Sequence, residues 1–352
     1  MKTGKSLTEL AVEIERQRAT KHDYIADTRT LELMASAGAA APLMLSFGGT
    51  TMPLRAHAHN QIGERVGIPS KYYDRMAAEA PELLTRNVNH WFKEKPENRM
   101  VRTLDGHVRA FLSDRYARID NFDVASVALP ILQEVGGLVI RSAEITDSRL
   151  YIKATSTAVV AEVKGSKRVG DLVEAGIMVT NSEVGLGALN VKPFYNFLWC
   201  TNGMVRDAIM RSAHIGRKQD ASDAMLSDQT KKAEDTVVLM KLRDVLKSAM
   251  DAAAFQAAID AMSEQTRQFI KGDPVKAIQV LGEATVMSKD EQSSVLRHLI
   301  EGGDLSRFGL MNAVTRTAED VQSYDRATEI ETLGGRILDL AANDWQRIAE
   351  AA

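Results

Sequence analysis

Basic side chains alternate with apolar ones around an Asp105-Gly106 pair in the stretch MVRTLDGHVRAFL. An Asp-Gly pair between alternating hydrophobic residues predicts a two-residue β-hairpin turn. Folded about that turn, the hairpin places Arg102 directly opposite Arg109 on one face, with His107 beside them. Like charges that face each other across a ladder are destabilising, so this pair is tolerable when an anion or a carboxylate lies across it.

A second predicted strand, in the segment SRLYIKAT, repeats this alternation. Cations and a tyrosine share one of its faces, and apolar residues share the other. A sheet face that combines cations with exposed aromatic rings suits single-stranded nucleic acid, because cations bind phosphates and rings stack on bases. The residues predicted to bind nucleic acid are Arg102, His107, Arg109, Arg115, Arg118, Arg149, Tyr151 and Lys153.

Two alternatives stay open for these cations. Acidic neighbours such as Asp114, Asp120 or Glu144 can pair with the arginines. Water can also simply solvate a charged face, which is common on protein surfaces.

A different nucleic-acid pattern lies upstream, in QIGERVGIPSKYYDRM. Small, apolar and turn residues fall where a helix-turn-helix requires them, at Gly63, Val66, Gly67, Ile68, Tyr73 and Met76. The second helix would then present Ser70, Lys71, Tyr72 and Arg75 to a DNA groove. A plain helical hairpin explains the same residues.

Patterns for metal binding and catalysis are weaker. His57 and His59 lie on different sides of a helix, and no cluster has zinc-ligand spacing, so we expect no metal and no cofactor. Cys200 lies in an apolar aromatic run typical of a buried residue, and nucleophile-elbow and phosphate-loop motifs are absent from the sequence. Whether the protein is an enzyme stays uncertain, although the motifs favour a binding protein. The densest polar set, which suits turns and caps as well as an active site, is Asp171, Asn181, Ser182, Glu183 and Asn202.

The composition is that of a globular protein, with 352 residues and a net charge of −3. Residues 1–220 hold 29 Lys and Arg against 25 Asp and Glu, whereas residues 221–352 hold 15 against 22. A single cysteine, the lack of a signal-peptide pattern and the lack of an 18-residue apolar run predict a cytoplasmic protein outside the membrane.

The periodicity predicts an α+β fold, with a mostly antiparallel sheet and packed helices in the middle of the chain. The predicted regions are a helical amino-terminal region at 1–98, an α+β core at 99–220 and an acidic all-helical region at 221–352. Within the core we expect a helix from about Asn121 to Glu134, then four antiparallel strands, then a helix in TNGMVRDAIMRSA.

The middle of the chain resembles a known family. The stretches FLSDRYARIDNFDV, EITDSRLYIKAT, VGDLVEAGIMVTNSEVGLGALNVKPFYNFLWCTNGM and LMNAVTRTAED are similar to the phage- and plasmid-borne domain of unknown function 932, which overlaps the UPF0380 proteins. The resemblance covers roughly 55–215 and, more weakly, 300–320. It implies a cytosolic protein of a mobile element or its bacterial host, and it supplies no catalytic residue.

These patterns favour single-stranded DNA binding or annealing, in recombination or replication of a mobile element. DNA is favoured over RNA, and self-association into a homo-oligomer is plausible. The hairpin sheet with a helix across it is similar to the core of single-strand annealing recombinases. The alternative is a protein-interaction module, acting on a defence or replication partner, that uses the acidic helical region at 221–352.

Overall fold

A computed structural model describes residues 1–36, 42–134, 137–167, 170–198, 202–212, 228–248 and 251–352. Within these ranges the chain forms twelve α-helices and three antiparallel sheets, which confirms the predicted α+β class. Cys200 and the predicted boundary between residues 220 and 221 lie outside the described residues.

The amino-terminal region contains strands as well as helices. Its helices are α1 (Leu7–Thr20), α2 (Ala56–Val66), α3 (Ser70–Glu79) and α4 (Pro81–Glu94). Its strands are β1 (His22–Asp27), β2 (Glu32–Met34), β3 (Met44–Phe47) and β4 (Thr50–Pro53). The last three strands form a small sheet in the order β2-β3-β4. The prediction of a purely helical region did not include these four strands, because runs of three to six residues are too short to show a clear period of two.

The middle of the chain forms a hairpin, a helix and a six-stranded sheet. Its elements are β5 (Asn98–Leu104), β6 (His107–Ser113), α5 (Asn121–Glu134), β7 (Leu138–Ile145), β8 (Leu150–Glu162), β9 (Leu172–Asn181), β10 (Leu189–Phe197), β11 (Gly203–Val205) and β12 (Met210–Ser212). The hairpin joins β1 in the order β1-β5-β6, and the main sheet runs β11-β10-β9-β8-β7, with β12 also paired to β10. The predicted helix in TNGMVRDAIMRSA is therefore wrong. Two short strands form there because β10 is long enough to pair with both, one near each end.

The carboxy-terminal region is helical where it is described. Its helices are α6 (Asp228–Ser248), α7 (Ala252–Gln265), α8 (Pro274–Thr285), α9 (Lys289–Gly302), α10 (Arg307–Thr317), α11 (Tyr324–Leu338) and α12 (Ala342–Ala349). No helix in the described ranges combines the length and the apolar character that a membrane crossing requires.

Helices cover both faces of the main sheet. On one face, Ile152 of β8 shares an apolar cluster with Leu10 of α1 and Leu242 of α6. On the other face, Met178 of β9 and Phe194 of β10 share an apolar cluster with Tyr324 of α11. The main sheet is therefore the middle layer of three, and polar residues on either of its faces must find partners inside the protein.

Among the described residues, Val286 at the end of α8 is the one β-branched residue in the left-handed backbone conformation. Its φ is 56° and its ψ is 47°, and its side chain is 84 % exposed. The left-handed conformation costs a β-branched residue about 1–2 kcal/mol, whereas asparagine tolerates it. We therefore expect Val286→Asn to raise the free energy of unfolding by about 1 kcal/mol, measured by urea denaturation.

Val12→Asn is the matched control, because Val12 is an exposed residue inside α1 and the two residue types have similar helix propensity. The control should leave stability within about 0.5 kcal/mol of the wild type. An equal gain in both variants would contradict strain at Val286.

Candidate nucleic-acid interface

The hairpin of β5 and β6 does not place its two arginines opposite each other. Thr103 pairs with Val108, as the Asp-Gly turn requires, but Arg102 pairs with Ala110. Arg109 is thus the extra residue of a β-bulge in β6, and the predicted Arg102–Arg109 opposition is wrong. A bulge shifts the register by one residue, so the side chains beyond it change faces relative to the simple alternation.

Arg102 is fully buried and bonds to protein groups with all three of its guanidinium nitrogens. Its Nε donates to Oδ1 of Asp23 at 2.8 Å, and its Nη2 donates to Oδ1 of Asp120 at 2.7 Å. Its Nη1 donates to the backbone oxygen of Glu183 at 2.9 Å. Carboxylates therefore occupy the positions around Arg102 where phosphate oxygens would have to bind.

Glu183, in the connection between β9 and β10, compensates the neighbouring charges. Arg109 donates to its Oε2, and the Nζ of Lys21 lies 3.5 Å from its Oε1. The backbone N–H of Asn121, at the start of α5, donates to the same Oε1 at 2.7 Å. Burial opposes ionisation, but the charges of Arg109, Lys21 and Arg102 outweigh it and lower the pKa of Glu183 to about 2.

Helix α11 covers the polar face of β8. The predicted alternation along β8 is correct, since Tyr151 and Lys153 point away from the face of Ile152. The hydroxyl of Tyr151 donates to Asp325 at 2.8 Å, and the Nζ of Lys153 donates to Glu331 at 2.5 Å. Both Lys153 and Glu331 have no exposed side-chain surface. The expectation that this face is open is therefore wrong.

The other predicted residues are scattered. Arg149 is half-buried and donates to the backbone oxygen of Leu186. His107 is half-buried, with its Nδ1 2.9 Å from the backbone oxygen of Asp105. Arg115 and Arg118 are exposed. The eight residues thus do not form one open cationic face.

The polar set around the β9–β10 connection does not converge on one pocket either. Asn181 donates to the side chain of Asn121 at 2.9 Å, and Ser182 donates to the backbone oxygen of Ser148 at 2.8 Å. Asn202 donates to Thr315, and Asp171 lies by Ser166 in another part of the fold. Most of these groups hold loops and helix ends in place.

Helices α2 and α3 form the helical pair that the upstream pattern predicts. Gly67 ends α2 in the left-handed conformation, with φ of 71°, and the N–H of Ile68 donates to the Gly63 oxygen at 3.1 Å. These are the features of a glycine-capped helix end followed by a sharp turn. A Cβ on Gly63 would lie 3.0 Å from the ring of Tyr73, so glycine at this position lets α3 pack closely on α2.

Helix α3 buries one face and exposes the other. Tyr73 and Met76 are buried in an apolar cluster with helices α2 and α4. The residues expected to face a groove are all exposed, and they are Ser70, Lys71, Tyr72 and Arg75. Tyr72 among them is 51 % exposed.

Helix α4 adds exposed basic side chains, which the sequence patterns described above do not include. Arg86, His90 and Lys93 are exposed along this helix. Lys95, just past its end, lies 5.0 Å from the centre of the Trp91 ring. The spacing of four and three residues from Arg86 to Lys93 is the signal that could have identified this stripe, because such residues share one helix face.

The charge of Glu183 makes stability depend on pH in a defined range. At pH 7 we expect Glu183→Gln to lower the free energy of unfolding by about 3–5 kcal/mol, because it leaves the buried Arg109 without the carboxylate that pairs with it. Folding lowers the pKa from 4.5 to about 2, so the stabilisation by the carboxylate is complete above pH 4.5 and falls as the pH approaches 2. The difference between variant and wild type in urea denaturation should therefore be smaller at pH 3 than at pH 7.

Glu15→Gln is the control, since the Glu15 side chain is 60 % exposed and its change should stay below about 0.5 kcal/mol. A Glu183→Gln loss of equal size at both pH values would contradict this electrostatic role.

For the Lys153–Glu331 pair, single and double variants should differ in the free energy of unfolding. Lys153→Met alone should lower the free energy of unfolding by about 3–5 kcal/mol, because Glu331 is left as a buried charge without its counter-charge. The double variant Lys153→Met/Glu331→Met should recover most of this loss in the same denaturation experiment, since no charge then remains. Additive losses would show that the two side chains act independently.

Comparisons of the chain with protein-family models, with curated proteins and with solved structures found no match. The resemblance to domain of unknown function 932 therefore stays a prediction. A function can be proposed from the geometry of the helices and sheets.

Proposed function

We propose that the chain is a nucleic-acid-binding protein that binds double-stranded DNA with helix α3. One observation carries this proposal. The second helix of the α2–turn–α3 pair exposes Lys71, Tyr72 and Arg75 together, while Tyr73 and Met76 on its other face fix it to the protein. In helix-turn-helix proteins the second helix enters the major groove in this way.

The exposed side chains match the chemistry of a DNA duplex. Arginine can donate two hydrogen bonds to a guanine edge, and lysine binds phosphate oxygens as a point charge. The Nε of Arg75 donates to Glu79 at 2.9 Å, but both side chains are more than 60 % exposed. An exposed pair of this kind contributes little energy, so Arg75 can exchange Glu79 for DNA at small cost.

A single strand on the sheet face has less support. Arg102 would have to leave Asp23 and Asp120, and Lys153 would have to leave Glu331, which would then be buried without a counter-charge. Breaking a buried ion pair costs about 3–5 kcal/mol, which is more than one phosphate contact returns. Arg115 and Arg118 stay exposed, and they allow the two surfaces to be compared directly.

Fluorescence anisotropy with a labelled duplex of about 20 base pairs tests the proposal. The full chain should bind the duplex more tightly at about 50 mM salt than at about 200 mM, because each neutralised phosphate releases a counterion. Lys71→Ala/Arg75→Ala should weaken binding about tenfold or more and lower the salt dependence by about two released ions.

Arg115→Ala/Arg118→Ala is the matched control, because it also removes two exposed cations and should leave duplex binding unchanged. The labelled single strand of the same sequence is the second arm of the experiment. The proposal would be overturned if the chain did not bind the duplex at low salt. It would also be overturned if the chain bound the single strand more tightly than the duplex and if Lys71→Ala/Arg75→Ala kept that single-strand binding.

A further inference from the structure

Strand pairing brings two basic side chains together on the face of the main sheet that meets α11. Lys192 lies in the middle of β10, on the same face as Phe194, which shares an apolar cluster with α11. Arg211 of β12 pairs with Asn190, so it is the diagonal neighbour of Lys192 across the ladder. Diagonal neighbours lie about 7–8 Å apart, which long side chains can span. Lys192 is half-buried and Arg211 is exposed, so α11 leaves this part of the face open.

Two further arginines lie near Lys192. They are Arg149, directly before β8, and Arg336 of α11. Burial lowers the pKa of the Lys192 amine, and the charge of Asp207, in the connection between β11 and β12, opposes this shift. The three arginines lower the pKa further, so all of them lie within electrostatic reach of Lys192. We call Arg149, Lys192, Arg211 and Arg336 the Lys192 patch.

Most members of the Lys192 patch have no counter-charge. Lys192, Arg211 and Arg336 form neither a salt bridge nor a hydrogen bond with the described part of the chain. Arg149 donates to a backbone oxygen, which carries no full charge. The buried Arg102, by contrast, bonds to two carboxylates. Like charges gathered in this way destabilise the folded state, and such arrangements are typical of functional sites. The patch therefore lacks an anion that carries more than one negative charge.

The Lys192 patch lies beside the first helix of the α2–turn–α3 pair. Nη1 of Arg55, directly before α2, donates to Oδ1 of Asp147 at 2.6 Å, and Asp147 is two residues from Arg149. Gln61 of α2 donates to the backbone oxygen of Val184 at 2.7 Å, in the same β9–β10 connection that accepts from Arg149. In helix-turn-helix proteins the first helix crosses the DNA backbone. The patch thus continues the surface that begins at α2.

We infer that the Lys192 patch is a second DNA contact, which binds the phosphate backbone of the duplex whose groove α3 enters. This inference rests on the proposed function, since it names a further contact of the same duplex. Lysine and arginine bind phosphate oxygens, and successive phosphates supply the repeated negative charge that the patch lacks. None of the four members is aromatic, so the patch offers no ring on which bases could stack. Contacts to phosphates alone are independent of sequence.

Fluorescence anisotropy with a labelled duplex of about 40 base pairs, long enough to reach both α3 and the patch, tests the inference. Lys192→Gln/Arg211→Gln should weaken binding about tenfold or more and lower the salt dependence by about two released ions. The loss should be similar on duplexes of unrelated sequence. Asp207→Asn should tighten binding about two- to fivefold, because it removes a negative charge beside the bound phosphates.

Arg267→Gln/Lys271→Gln is the matched control, because it also removes one arginine and one lysine. Their side chains are 77 % and 74 % exposed, and binding should stay unchanged. Without DNA, Lys192→Gln/Arg211→Gln should unfold at the wild-type thermal midpoint or above it, because it removes repulsion between unpaired cations. Arg211→Gln/Arg336→Gln changes two exposed residues and serves if Lys192→Gln does not fold.

The two DNA contacts can fail separately. Weaker binding in Lys71→Ala/Arg75→Ala but in neither patch variant would overturn this inference and leave the proposed function intact. Weaker binding in the patch variants alone would overturn the role of α3 and support the patch as a DNA contact. An equal loss in Arg267→Gln/Lys271→Gln would overturn the inference, because net charge alone would then explain the effect.

Discussion

A charge in the protein interior must keep its counter-charge, and this requirement determines how the layers of the fold are joined. Glu183 receives hydrogen bonds or ion pairs from three places in the chain: Lys21 after α1, Arg109 in β6 and the backbone of Asn121 at the start of α5. If any of these elements moved away from the β9–β10 connection, a charge in the low-dielectric interior would lose a partner that compensates it. The hairpin, the helices and the main sheet are thereby held in one arrangement.

The same requirement fixes α11 on the opposite face of the main sheet. Its residues Asp325 and Glu331, which lie nearly two helical turns apart, accept from Tyr151 and Lys153. Close packing reinforces these contacts, because a Cβ on Gly335 would lie 2.1 Å from the backbone oxygen of Val205. The helix can therefore approach β11 only with glycine at that position. Charge pairing selects which face of α11 meets the sheet, and glycine sets how near it comes.

Local patterns were predictable from the sequence, whereas their surroundings were not. The alternation of Tyr151 and Lys153 along β8 was correct, since it depends on neighbours in the same strand. What covers that face depends on α11, far along the chain, and no periodicity within β8 reports it. The bulge at Arg109 was equally invisible, because the Asp-Gly turn has the same residues whether or not the ladder later shifts. The exposed face of α3 was predictable because its supporting residues lie within one short segment.

Lys153 and Glu331 are 178 residues apart along the chain, so the ribosome makes them at different times. At about 5–20 residues per second, Glu331 leaves the ribosome roughly 10 to 35 s after Lys153. During that interval the cation of β8 and the apolar residues beside it have no cover, so the nascent sheet cannot close its second face. The chain must protect this surface or postpone the docking of the sheet until α11 has been made, which makes the order of translation part of its folding.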